Sequence, residues 1–504
     1  MTLKHFAAGI TFSGFATSAV ADVTAVQVWE DWLSGIEASG SSVSAIQNRS
    51  AGQLTLDDFV VSYQDADLGI SFELDIGQAA LVENSDGSVS ITLPQRIPAN
   101  MEFRDNYSQV SSISAMIGLQ NMQARASGER NQITYDYSAD SIALALQSLI
   151  GEGEQIGRDE VQLSVVGNRL SASTTSIRSE FREVIGRSTL DELQVMMMLA
   201  PKGTDFSADW TAQINSLTIA NSGQTPEGVS LVDVSGALKA GLNSTGVMSY
   251  RSGESKLLLR TPDGDFSMST NSNGANSSTS MSQDGMSMLM DVNGANFDVF
   301  ASTLPLPING TLGSFVYGLN VPLMPRSEDQ AFGLRFELND LAMAESLWAM
   351  FDPGEVLPRD PISLRIDISG MAKLFLDYLD AEELEASLET LETPGELSSL
   401  TLNALDVRAL GADLSVQGDF EIDNDNLSVF DGFPTPTGRA TATLSGANAL
   451  LDRLTQMGLI AGEQVMGARM FMGMFALPVG RDQFETEVEI DAEGGVFVNQ
   501  QRFR

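Results

Sequence analysis

Sixty-seven carboxylates, one histidine and no cysteine define the chemistry open to this chain. The histidine is His5, inside a segment over 1–21 that is expected to be removed as a signal peptide, so the mature chain is expected to hold no imidazole. Ser-His-Asp and Cys-His nucleophilic catalysis are therefore excluded. So are zinc sites built from His or thiolate, His-ligated haem, thiolate iron–sulfur clusters and disulfides. Carboxylate-only chemistry survives this filter, because a pair of Asp or Glu can hydrolyse a glycoside without histidine. Nothing in the spacing selects one pair among so many, and no G-x-S-x-G elbow, P-loop or G-x-G-x-x-G occurs.

Three local patterns come nearest to a site. Asp423-Asn-Asp425-Asn resembles a calcium loop, but positions six and twelve hold Ser428 and Pro434 where Gly and Glu are required. Asp233-Val-Ser-Gly236 and Asp367-Ile-Ser-Gly370 are one residue longer than an aspartic-protease triplet. The third copy carries Thr443 in place of Asp, so the phrase reads as a strand stopped by Ser-Gly. The third pattern is Met466, Met470 and Met474, an oblique stripe at i, i+4, i+8 beside Phe471 and Met472. Methionine can line an adaptable apolar groove. The commoner use of such a stripe is core packing, and the expectation is that it lies flush against a sheet. No catalytic residue, cofactor or metal ligand is assigned.

The net charge is −39 with no Lys/Arg cluster, which excludes nucleic acid and disfavours an anionic lipid surface. The N-terminus has a basic start at Lys4, an apolar run over 6–16 too short to cross a bilayer, and Ala19-Val20-Ala21 before Asp22. That is the pattern of a secretory signal peptide over 1–21, with cleavage between Ala21 and Asp22, and it predicts a periplasmic protein. No later segment is long and apolar enough to be a transmembrane span.

These features must be positioned by a mostly β chain. Thr24 and Gln27 have capping-box spacing, and Trp29, Trp32 and Ile36 share one face, which predicts a docked amphipathic helix to about Ala38 with both tryptophans in the core. Period-two alternation begins at Leu54 and continues through Leu56, Phe59-Val-Val-Ser-Tyr63 and Ile70-Ser-Phe-Glu-Leu-Asp-Ile76. Helical breaks are expected over 141–150 and 191–199. Gly264, Gly274, Gly285 and Gly294 sit in Asp-Gly or Asn-Gly pairs and predict successive hairpin turns. Further helices are expected near 340–351, 373–392 and 448–475. The fold class is α+β and β-rich: long curved antiparallel meander sheets with a few helices packed on one face. The organisation divides into 1–21, 22–245 and 246–504, the last two readable as one continuous body.

Several phrases then carry a resemblance. They are Val28-Trp-Glu-Asp-Trp32, Leu347-Trp-Ala-Met-Phe-Asp-Pro353, Leu357-Pro-Arg-Asp-Pro361, Leu410-Gly-Ala412, Met457-Gly-Leu459 and Val498-Asn-Gln-Gln-Arg502. Together the chain resembles the secreted alphaproteobacterial family named domain of unknown function 2125, over nearly its whole length after residue 21. It departs from that pattern at Asn499-Gln500, where Asn-Gly is expected. The resemblance implies no catalytic residue. A fainter likeness to AsmA-like envelope proteins lies in the Leu-x-Leu strands. The functional expectation is a non-enzymatic binding or envelope-maintenance protein with a groove for a lipid or apolar ligand, its partner a lipid or an envelope protein. A purely structural β protein and a carboxylate-only hydrolase are the alternatives.

Overall fold

A computed structural model describes residues 22–65, 69–104, 110–151, 154–380, 384–387 and 393–504. Its 27 strands form one sheet. Successive rungs are neighbours, so the chain runs as an antiparallel meander from Ser42–Ser50 at one edge to Val496–Val498 and Gln501–Arg502 at the other. Several long rungs are made of two strands end to end. Asn243–Tyr250 and Ser252–Thr261, for instance, both lie along Ser207–Pro226. No pairing joins the two edges among the described residues, so the sheet stays open. A division at 245 would fall inside the strand Asn243–Tyr250, which is paired on both sides.

Helices among the described residues accompany the meander: α1 (Ala25–Ala38) before it, then α2 (Val234–Lys239), α3 (Glu345–Phe351), α4 (Ala447–Gln456) and α5 (Gly462–Phe475). Residues 384–387 are also helical. α1 forms as its sequence predicts. Thr24 accepts from the Gln27 amide and Gln27 returns the bond, a reciprocal cap. Trp29 is buried and meets Phe59 edge-on at 5.4 Å. Trp32 is half-buried and stacks on Phe59 at 6.4 Å. Around them lies the principal core, with Leu54, Leu56, Ala79, Leu81, Val89, Ile91, Ala126, Ile133 and Tyr135. On the helix's other side Asp31, buried, accepts from Tyr135 Oη at 2.8 Å, Ser176 Oγ at 2.9 Å and Arg178 Nε at 3.1 Å. Burial and the nearby Asp31 charge push the Tyr135 hydroxyl far above the ordinary tyrosine range.

Several expectations are corrected. Residues 141–150 and 191–199 are not helical but lie in the strands Gln132–Gly151 and Phe181–Leu199. Each is hydrogen-bonded to neighbours on both sides, and a full ladder overrides the helix-favouring Leu, Ala and Met. Gly264 and Gly285 follow hairpin turns, whereas Gly274 and Gly294 interrupt rungs without reversing them. Asp340 does not cap a helix. It stands at φ 55° inside the strand Gln330–Met343, and α3 starts later with no side-chain cap. The helix expected over 373–392 is absent through Leu374, which ends a strand; part of that range, 381–383 and 388–392, lies outside the described residues. The three Ser-Gly phrases share no structure. Ser235-Gly236 is in α2, Ser369-Gly370 is mid-strand, and only Ser445-Gly446 ends a strand, with Gly446 at φ 74°.

Candidate functional site

Antiparallel register places paired residues on the same face of a sheet. Followed strand by strand, the register lines up apolar side chains in rows. One row runs Val292, Phe315, Leu338, Leu364, Val407, Leu414, Leu444, Phe484. The row beside it runs Met290, Tyr317, Phe336, Ile366, Leu405, Val416. Another runs Met288, Leu319, Leu334, Ile368, Leu402. The opposite face is polar along the same strands, as in the row Ser369, Thr401, Asp419, Arg439, Glu489. Thr401 donates to Asp419 at 2.8 Å and Arg439 to Glu489 at 3.2 Å across that row. This half of the sheet therefore has one apolar and one polar face.

A second apolar field lies toward the other ends of the strands. Leu163, Met197, Trp210, Leu257, Met268, Val299 and Ile308 form one of its rows. Between the two fields runs a line of left-handed residues: Asp58, Gly77, Asn121, Arg169, Ser216, Gly274, Gly294 and Asp340. Such a residue breaks the two-residue alternation, so the parity of the inward side chains changes there. Leu163 and Val165 precede Arg169 on odd positions, and Leu170 and Ala172 follow on even ones. At Asp58 the outcome is visible directly: Leu54 and Leu56 before it and Phe59 after it enter the same core. The swap keeps apolar groups on one side through the irregularity. Non-Gly residues in this conformation cost about 1–2 kcal/mol each.

Among the described residues the apolar rows are not fully buried. Every residue in the three rows first traced is half-buried except Leu334, which is 37% exposed, and none is buried. In the second field Leu163, Met197 and Met268 are 36%, 37% and 38% exposed. The whole chain exposes 29615 Å². A compact protein of 53.9 kDa exposes roughly 18,000 Å². An open sheet contributes to that excess.

Two polar corners fix the loops at the strand ends. Near α2, Asp377 is buried and receives Lys239 Nζ at 2.8 Å, the Ser235 hydroxyl and the Leu379 amide. Burial acts to raise this carboxyl, but those donors outweigh it and hold it below the usual carboxylate value. Near α3, buried Asp352 accepts from the Val356 and Leu357 amides at 2.9 Å each and from Arg359 at 2.5 Å. Here too burial is outweighed and the carboxyl is held low. Arg359 lies 4.6 Å over the Trp348 ring. Glu160 is lowered to about 2, chiefly by the amides of Lys202 and Gly157. Asp86 is held low by Ser88 and Arg125. Asp482 is held low by the α4 amides of Ala449 and Asn448, against burial.

The methionine stripe is not where packing logic puts it. Met466, Met470 and Met474 are 67%, 67% and 66% exposed, and α5 buries only Val465. The stripe belongs neither to a filled core nor to the apolar rows of the sheet. The reason is local: α4 and α5 rise from the strand ends at Ser445 and Gln483, α4 reaches the strand Ala412–Asp423, and α5 packs mainly on α4. Asp423 turns back onto the amides of Asp425 and Asn426, and among the described residues no three carboxylates converge as a metal site requires. Ala21 lies outside the described residues, which begin at Asp22. The apolar rows themselves escaped sequence reasoning. Leu-x-Leu alternation marks each strand, but only register shows that the rows align.

No protein-family model matches the chain, and no curated protein matches it. No helix among the described residues is long and apolar enough to cross a membrane.

Proposed function

We propose that this is a secreted, periplasmic binding protein with an envelope role, whose sheet carries an apolar ligand, a lipid acyl chain, along its apolar face. One observation carries the reading: apolar rows crossing consecutive strands are only half-buried, and among the described residues no helix packs extensively on them. Patches of this extent on a secreted protein mark a binding surface. The opposite polar face and the charge of −39 keep such a body dispersed. Curling of the sheet about the apolar side would give the ligand a groove. The N-terminal leader pattern and the resemblance to the secreted family support the compartment.

The reading is non-enzymatic. Among the described residues the carboxyls that depart from their ordinary values, Asp86, Glu160, Asp352, Asp377 and Asp482, are held low, whereas a carboxylate-only hydrolase needs one held high. A cavity of about 880 Å³ lies by Arg365, Asp406, Arg408 and Asp413. Its Asp413 is paired to Arg408 at 2.8 Å and its Asp406 accepts from Ser415 at 2.6 Å.

The test is native mass spectrometry of the protein isolated without detergent from the periplasm of its own cells, beside Leu334→Glu. Leu334 is exposed enough for a charge to stay hydrated. The expected result is lipid bound to the wild type and lost from a folded variant. Wild-type protein free of any apolar ligand would overturn the reading.

A further inference from the structure

The exposed face of α5 has no role in the reading above. A helix that buries one residue is not there to fill a core. Its outward groups are large: Met466, Met470, Phe471 and Met474, all above 60% exposed. They are contiguous, because residues four apart are neighbours on a helix. The patch continues through Phe475, 4.6 Å from Phe471, to Phe503 at 5.7 Å from Phe475, itself 68% exposed.

Charge then selects the occupant. Across 457–481 there is one carboxylate, Glu463, and two arginines, of which Arg469 is paired with Asp452 of α4 at 2.7 Å, so this stretch carries little net charge in a chain that elsewhere is strongly acidic. The interfacial layer of a zwitterionic membrane accepts an apolar helical face that carries little net charge. A second copy is a poorer fit. A 14-residue helix is roughly 21 Å long, so its face covers a few hundred Å², below the ~800 Å² per partner of a stable interface.

We propose that α5 is a membrane-docking helix: its Met466–Met470–Phe471–Met474 face seats in the interfacial layer of a lipid bilayer, holding the end of the sheet at the membrane surface. The proposal does not rest on the sheet carrying a lipid, since docking uses a different surface.

The experiment is flotation of the whole secreted chain with phosphatidylcholine vesicles, for the wild type and for Met470→Glu/Phe471→Glu. Both positions are exposed, so the double variant folds, which circular dichroism and an unchanged melting temperature verify. The wild type is expected to float and the variant to lose roughly tenfold or more in partitioning per residue changed. Leu334→Glu is expected to float like the wild type, which separates docking from ligand carriage. Wild type that stays at the bottom of the gradient would overturn the proposal. So would variant protein that floats equally well, or a wild-type dimer that the double variant dissolves without any vesicle binding.

Discussion

Replacing Phe59 by alanine tests how the open sheet is anchored at its N-terminal end. Phe59 is the largest fully buried side chain, at 2% exposure. Its ring is the shared contact of the two α1 tryptophans, one edge-on and one stacked. Phe→Ala in a core costs about 3–5 kcal/mol through lost transfer energy and the cavity left behind. Each aromatic pair contributes about 0.5–1.5 kcal/mol beyond area, and two pairs are lost, so the upper part of that range applies. Taking about 4 kcal/mol and an m value of about 3 kcal/mol/M, the urea midpoint falls by about 1.3 M. Tryptophan emission reports the change, because two of the four tryptophans, Trp29 and Trp32, flank the ring. Proteolysis should cut α1 from the variant first, since the helix is held by this cluster and by Asp31 with its partners. A midpoint shift below about 0.3 M would refute the claim that this ring fastens the helix to the sheet.

The other predictions follow from the same geometry. Asp352 and Asp377 have carboxyl values lowered on folding, so the stability they contribute is present above the unfolded carboxylate value of 3.8 and is lost as pH falls through their folded values. Acid titration by near-ultraviolet dichroism should therefore show a loss of structure below pH 3.8, and Asp377→Asn should lower stability at neutral pH while flattening that slope. Ser216 stands at φ 55°, so Ser216→Gly should stabilise by up to about 1 kcal/mol and Ser216→Val should destabilise, both read from urea midpoints. A Ser216→Val protein as stable as the wild type would remove the left-handed line as a feature of the fold. Leu334→Glu should leave the melting temperature within about 2 °C while abolishing lipid co-purification. Met470→Glu/Phe471→Glu should abolish flotation alone.

Local pattern was informative where one residue's neighbours in sequence are also its neighbours in space. The capping box of α1, the hairpins at Gly264 and Gly285, and the helical pair over 448–475 were all legible for that reason. The runs at 141–150 and 191–199 misled because apolar residues with high helix propensity also suit a strand paired on both sides. The Ser-Gly phrases misled because a short motif has no fixed structure of its own. One became a helix start capped by Asp233, another the middle of a strand.

The amino-acid sequence excludes thiol chemistry in any fold, since there is no cysteine, and leaves His5 as the single imidazole. It determined that most of the chain is strand, because alternation with a period of two is a local property. Tertiary structure alone decided which side chains meet. A row such as Leu338, Leu364, Val407, Leu414 and Leu444 is assembled by hydrogen-bond register between strands, which no single strand encodes. It also decided that the methionine stripe faces outward. Helical periodicity makes a stripe, but only the position of the helix relative to the sheet determines whether that stripe meets protein or solvent.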